Sequence, residues 1–171
     1  METLFRVAHS PNFNAGVQAL MLIQKLCTIS PTVTDRFYRT LYESLLDSRL
    51  AQSSKHTMYL NLLLRAMKAD HDSKRVKAFA KRMLQITTLH QVPFACGILY
   101  VLSQIKETLP AIGTLIEQPE DHHSLITYPH GTNIGQEYDG RNRHPESSNA
   151  HLSGLWEIVS HCLSLLIQSF C

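Results

Sequence analysis

The chain has 171 residues, and 44% of them are apolar, so it can form one ordinary packed domain and wholesale disorder is excluded. The longest uninterrupted apolar run, residues 94–102, is far too short to span a bilayer. No basic start followed by an apolar block is present at the N-terminus, so we expect no secretory signal. The composition therefore predicts a soluble intracellular protein.

The four cysteines are widely spaced and form no CxxC pair, so the sequence indicates neither a zinc site nor a disulfide framework. The formal net charge is only +2, but the charges are unevenly placed along the chain. Cations are concentrated in the middle, whereas the segment 117–139 leans acidic. The net value therefore conceals a local basic patch.

Helical patterns begin near the N-terminus and no strand-like alternation competes with them. The first three helices are predicted at residues 13–29, 34–46 and 53–69. Asn12 or Asn14 is a plausible cap for the first helix, which Pro31 should end because the residue before a proline is pushed out of the helical region. The third helix is apolar on nearly every side and should be packed between neighbours.

Three further helices are predicted: a basic one at about 73–90 with Asp72 or Ser73 as its cap, one that starts at Val92, and a short one at 108–116. The hairpin period of roughly 38 to 40 residues is that of HEAT- or armadillo-like solenoids. We therefore predict an all-α antiparallel helical repeat stack at residues 1–117. A long, irregular and flexible loop is predicted at 118–150, and a C-terminal helix at 151–171.

The basic helix separates apolar from charged side chains on a 3.6-residue period. Its apolar side is predicted to consist of Val76, Phe79, Ala80, Met83, Ile86 and Thr87. Lys74, Lys77 and Lys81 line up on the opposite side, and Arg75 and Arg82 share a flank one heptad apart. We therefore expect five cations on a solvent-facing surface, where nucleic acid is the commonest acidic partner.

Seven of the 16 basic residues lie between positions 65 and 82, and they form the predicted nucleic-acid-binding set: Arg65, Lys68, Lys74, Arg75, Lys77, Lys81 and Arg82. Either Arg65 and Lys68 extend this patch, or they only keep one edge of the third helix in contact with water. A well-solvated helix face and a purely protein-binding solenoid remain open as alternatives.

Sequence patterns of known active sites are absent, including a Gly-rich loop before a helix, GxSxG and HExxH, so we predict neither an enzyme nor a cofactor. The histidines that could suggest a metal site are His122, His123, His130, His144 and His151. Their spacing fits no usual ligand pattern, which favours solvated loop histidines over metal ligands. Asp70 and Asp72 are interpreted as caps, and Tyr38, Tyr42 and Tyr59 as core residues.

Six segments carry a resemblance to a known family, at residues 35–47, 75–85, 93–103, 138–145, 149–150 and 155–157. In this order they resemble the CCAAT-binding-factor domain of the nucleolar-complex proteins of ribosome assembly. The resemblance implies a HEAT-like fold, a nuclear and mainly nucleolar location, and a non-enzymatic scaffold for assembly of the large ribosomal subunit. The partners it implies are another nucleolar-complex protein and pre-ribosomal RNA within the pre-60S particle, without a membrane or a small-molecule substrate.

The sequence departs from the family pattern after Glu157, where a longer helical region with a His-Phe-His-Pro-like segment is usual. We therefore expect a truncated or alternatively spliced product, or an incomplete gene model. The family name also implies transcriptional CCAAT binding, which is the secondary hypothesis. No recognition helix, zinc finger or basic zipper is indicated by the sequence.

Overall fold

The structure is a computed structural model that describes residues 1–27, 31–110, 113, 138–155 and 157. Its α-helices are α1 (Glu2–Ala8), α2 (Phe13–Leu26), α3 (Pro31–Ser44), α4 (His56–Ala69), α5 (Ser73–Thr87) and α6 (Val92–Thr108). Short 3-10 helices occur at Ser48–Gln52, Pro145–Ser147 and Ala150–Leu152. These residues include no strand, which confirms for them the predicted all-α, helical repeat-like fold.

Most predicted helices are present, and two of their caps are confirmed. The Asn12 side chain accepts a hydrogen bond from the Ala15 backbone N–H, and Asp72 accepts from those of Lys74 and Arg75. Helix α1 was not predicted. Helix α3 begins at Pro31, three residues before the predicted start, because the fixed φ of proline is favourable in the first turn of a helix.

Helix α1 packs on α2 at a glycine. A Cβ atom added to Gly16 would lie 2.9 Å from the Ala8 carbonyl oxygen, so only glycine permits this close approach. Phe5 of α1 is buried, and the guanidinium of Arg36 lies 4.2 Å above its ring while pairing with Glu2. The shortest helix is therefore attached to α3 as well as to α2.

The hydrophobic core takes buried side chains from all six α-helices, and aromatic rings of α3 and α5 pack together within it. Phe79 of α5 is fully buried and contacts the rings of Tyr38 and Tyr42 from α3, at centroid distances of 6.3 and 5.0 Å. The Tyr38 hydroxyl donates to the Ala66 carbonyl of α4. These contacts confirm that Tyr38 and Tyr42 are core residues, as the sequence indicated; Tyr59 is likewise buried.

Helix α6 packs against both α4 and α5, and together with α3 it surrounds α5. Every residue at positions 78–84 of α5 is buried, including those on the face that was predicted to meet solvent. The remaining cover of α5 comes from a segment that lies about 40 residues after α6 in the sequence. The two later 3-10 helices, Pro145–Ser147 and Ala150–Leu152, both pack on α5.

The predicted flexible loop at 118–150 must be revised for its last part, because residues 138–150 pack on the helical core. Pro145, Ser148 and Ala150 are buried there, and Asn149 adopts a left-handed conformation (φ 56°) that asparagine tolerates between two tight turns. The rest of the predicted loop, most of the short helix at 108–116, and the C-terminal helix beyond 157 lie outside the described residues.

Candidate functional site

Helix α5 directs Arg75, Lys81 and Arg82 in two directions, which its cap and its buried Phe79 ring determine. The Asp72 carboxylate fixes the first turn, and Asp70 in turn accepts from the Asp72 backbone N–H at 3.0 Å. Phe79 fixes the rotation of the helix because its ring enters the core. With that rotation set, Arg75 and Arg82 lie toward α3, and Lys81 lies toward the chain segment that follows α6.

We call residues 138–155 together with Glu157 the return segment, because this part of the chain comes back across α5. Lys81 is one of its anchors and is only 1% exposed. Its ammonium donates to the Gly154 carbonyl and to the carboxylate of Glu157, the latter at 2.9 Å. Gln85, one turn further on, also donates to the Glu157 carboxylate, at 3.3 Å. A buried ion pair thus joins α5 to the end of the return segment.

Arg82 is also 1% exposed and binds backbone rather than carboxylate oxygens. It donates to the carbonyls of Gly140 and Asn142 at 2.7 and 3.0 Å, and to the Tyr42 carbonyl at 3.2 Å. Its guanidinium carbon lies 3.4 Å from the centroid of the Tyr42 ring, a stacked cation–π arrangement. Burial lowers the pKa of Arg82 relative to its ordinary value, although arginine remains protonated in proteins.

Arg75 joins three parts of the chain and stacks on Tyr38 at 4.3 Å. It donates to Asp70 at 2.6 and 2.9 Å and to Glu146 of the return segment at 2.6 Å. Burial alone would lower the pKa of Arg75, but the hydrogen bonds and charges of Asp70 and Glu146 raise it above its ordinary value. Charge-assisted bonds of this kind are the stronger ones in proteins.

Two tyrosines complete the contact between α5 and the return segment. Tyr138 donates to the Gln85 side chain at 2.9 Å, and its ring lies 5.6 Å from the Lys81 ammonium. Burial raises the pKa of both Tyr42 and Tyr138, so both phenols are neutral at ordinary pH. The arrangement holds chain segments together, and its buried groups offer no cation to an external phosphate.

The predicted solvent exposure of Lys81 and Arg82 is therefore wrong, and Arg75, whose side chain is 12% exposed, is largely engaged as well. The physical reason is that the return segment covers the polar side of α5. Helical periodicity identified this side as hydrophilic, but a hydrophilic side can be covered when carboxylates and carbonyls meet its cations. The apolar side of α5 was predicted correctly and is buried throughout.

The other four predicted site residues are exposed or partly exposed, but they lie on two helices rather than in one row. Lys74 is exposed and Lys77 is partly buried, and their positive charges, after the larger effect of burial, lower the pKa of His151. Arg65 and Lys68 are exposed on α4, where the Arg65 Nε donates to the Asn61 carbonyl at 3.3 Å. These four residues remain the accessible part of the predicted nucleic-acid-binding set.

The sequence reasoning missed the acceptors of the buried cations, Glu146 and Glu157, although both lie in or beside segments on which the family resemblance rests. Over the described part of the chain, no group of three or more His, Cys, Asp or Glu side chains could hold a metal ion. His122, His123 and His130 lie outside that part. No described helix is long and apolar enough to cross a membrane.

The sequence of this chain is similar to a family of known proteins. The model of the CBF/Mak21 family matches residues 16–164. Ribosome biogenesis protein NOC1 of Chaetomium thermophilum is 51% identical, over 93% of this chain and 17% of its own length. CCAAT/enhancer-binding protein zeta of Mus musculus is 45% identical, over 71% of this chain and 11% of its own length. Nucleolar complex protein 1 of Drosophila melanogaster is 33% identical, over 61% of this chain and 9% of its own length. The chain thus spans a small part of these curated relatives.

Proposed function

The chain belongs to the CBF/Mak21 family, and we propose that it forms a helical part of a nucleolar factor that assembles the large ribosomal subunit. The observation that carries this proposal is the 51% identity, over 93% of the chain, to a protein named for ribosome biogenesis. The name of the Drosophila relative, nucleolar complex protein 1, supports the proposed nuclear and nucleolar location.

We propose that the part played is that of a non-enzymatic scaffold which binds another nucleolar-complex protein and pre-ribosomal RNA. The fold supports this role, because α5 is held on every side and can keep neighbouring surfaces in fixed positions. The proposed phosphate contacts are made by Lys68 and Lys74, which are exposed, and by the accessible part of Lys77. Lys81, Arg82 and Arg75 support the surface from within.

RNA binding is tested with the full chain and a labelled fragment of the large-subunit rRNA precursor. If about three phosphates are neutralised, the logarithm of affinity should fall with the logarithm of salt at a slope of roughly −2 to −3. Reversing Lys68 and Lys74 to Glu should remove most of that slope, whereas Lys106→Glu, an exposed cation on α6, should change it little. A flat salt response of the unaltered chain would exclude RNA binding by this surface.

The ribosomal role itself is tested by sedimentation of the tagged protein from cell extract. The proposed assembly factor should cosediment with pre-60S particles and leave them after ribonuclease treatment if RNA holds it there. Recovery only at the top of the gradient, with the fold intact by circular dichroism, would contradict the proposal.

A second candidate is transcriptional binding of the CCAAT box, which the printed name of the mouse relative suggests for that protein. A recognition helix needs a free face to enter the major groove. Because residues 78–84 of α5 are all buried, the middle of the most basic described helix has no such face. Equal affinity for CCAAT duplex and scrambled duplex would discard this candidate.

A further inference from the structure

A groove of about 560 Å³ lies between α2 and α4, and none of the described residues that line it belongs to α5 or to the return segment. The residues that line it are Met21, Ser54, Lys55, Thr57, Met58, Asn61 and Arg65. We propose that this groove docks an acidic peptide segment of a partner protein, with an apolar side chain seated between the two methionines and Asp or Glu residues beside it. This inference deepens the proposed scaffold function and rests on its partner-binding part.

The walls of the groove are held in place by contacts between α2 and α4. The ring of Phe13 packs edge-on against that of Tyr59 at 5.7 Å. Near one end, Asn14 accepts from the Ser53 hydroxyl at 2.8 Å and donates to the Ser54 hydroxyl at 3.3 Å. A groove built from two fixed helices is largely formed before a ligand arrives, which reduces the entropy cost of binding.

Its floor suits an apolar anchor. Met21 and Met58 are both partly exposed, and they line the groove from opposite helices. Methionine is unbranched and polarizable, so a pair of methionines can adjust to apolar side chains of several shapes. No aromatic residue of the described chain lines the groove for base stacking, and this favours a peptide over single-stranded nucleic acid.

Its charge suits an acidic segment. Among the described residues, none of those lining the groove is acidic, and neither Lys55 nor Arg65 forms an ion pair with a carboxylate. Within the described part of the chain, the one hydrogen bond of the Arg65 side chain runs from its Nε to the Asn61 carbonyl. Thr57 and Asn61 offer neutral hydrogen-bonding groups between these charges.

The first step of the test is selection of a displayed library of random 12-residue peptides on the full chain. Peptides that bind the double variant Met58→Glu, Arg65→Glu are first removed from the library, so that only peptides that need an intact groove remain. The proposal predicts enriched peptides that combine an apolar residue with Asp or Glu. No enrichment overturns the proposal, and this is also the result expected if the groove is filled from within the chain. Enrichment of basic or uncharged sequences overturns it as well.

The second step uses the most enriched peptide in synthetic form. With methyl-labelled methionine, the signals of Met21 and Met58 should shift on titration, while those of buried Met67 and Met83 should not. Arg65→Glu and Lys55→Glu should each weaken binding about fivefold to tenfold. The matched controls, Lys106→Glu and Leu89→Glu on exposed positions of other surfaces, should bind unchanged. Shifts confined to other methionines would overturn the proposal.

Circular dichroism and thermal unfolding of each variant separate lost binding from lost folding, and Arg65 is exposed, so its reversal should leave the fold intact. Competition by oligouridylate at the same methionines would reassign the groove to RNA and overturn the proposal. Failure of pre-60S association with peptide binding intact would instead contradict only the ribosomal role, so the two failures are distinguishable.

Discussion

The sequence predicts solvent-exposed cations on both α4 and α5, but in the structure the two sets differ in burial. On α5, Lys81 and Arg82 are buried and hold the return segment through Glu157 and backbone carbonyls. On α4, Arg65 is exposed and lies at the lip of a groove. The comparison shows that a row of cations on one helix can be an internal attachment, whereas a shorter row on its neighbour stays exposed to solvent.

The largest expected effect comes from the ring that fixes the rotation of α5. Phe79 is fully buried between Tyr38 and Tyr42, so Phe79→Ala should lower the free energy of unfolding by about 3–5 kcal/mol. Chemical denaturation of the full chain measures this. Normal stability of the variant would mean that α5 is rotated differently and that its cations point elsewhere.

A similar loss is expected from breaking the buried ion pair. Lys81→Ala leaves the Glu157 carboxylate buried without its counter-charge and should destabilise the protein by about 3–5 kcal/mol. The matched change on the accessible side, Lys68→Ala, should alter stability by no more than about 0.5 kcal/mol. Equal stabilities for the two variants in the same denaturation experiment would remove the distinction between the helices.

Arg75 should give an intermediate result because its side chain remains 12% exposed. Arg75→Ala removes the charged hydrogen bonds to Asp70 and Glu146, and the expected loss of stability is about 1.5–3 kcal/mol. Arg65→Ala is the control on α4, where the only hydrogen bond of the side chain among the described residues is to a local carbonyl. A loss for Arg65→Ala as large as that for Arg75→Ala would contradict this account.

The smallest expected effect is a pH dependence of stability that comes from His90, which belongs to neither set of cations. Burial, and then the charge of His56, lowers the pKa of His90, which packs against the Phe94 ring at 4.8 Å. The unfolded state therefore binds the proton more readily. The stability from this residue should be complete above the ordinary pKa of about 6.5 and decline as the pH falls below it. His90→Gln should reduce the acid-side decline in denaturation midpoints, and an unchanged decline would exclude a role for His90.

Local signals explain how much of the fold the sequence predicted. Helices α2, α4, α5 and α6 follow from apolar periodicity over three or more turns, and Asn12 and Asp72 are caps because their side chains reach nearby backbone N–H groups. Helix α1 has only 7 residues and is stabilised by contacts to α2 and Arg36 rather than by its own pattern. Such tertiary contacts cannot be read from local periodicity.

The candidate site was predicted in part for a related reason. Periodicity correctly placed the apolar side of α5 and correctly left Lys74 at the surface. It could not show that the acceptors of Lys81 and Arg75 arrive from 76 and 71 residues further along the chain. The groove beside Arg65 was equally hidden, although Asn61, Arg65 and Lys68 form a narrow polar line on a mostly apolar α4.

The distinction between buried and accessible cations is tested most directly by lysine acetylation of the native full chain, followed by mass spectrometry of each site. The account predicts rapid modification of Lys68 and Lys74 and strong protection of Lys81, which becomes reactive only when Glu157→Gln weakens its attachment or denaturant unfolds the chain. Acetylation of Lys81 as fast as that of Lys68 in the folded protein would contradict it.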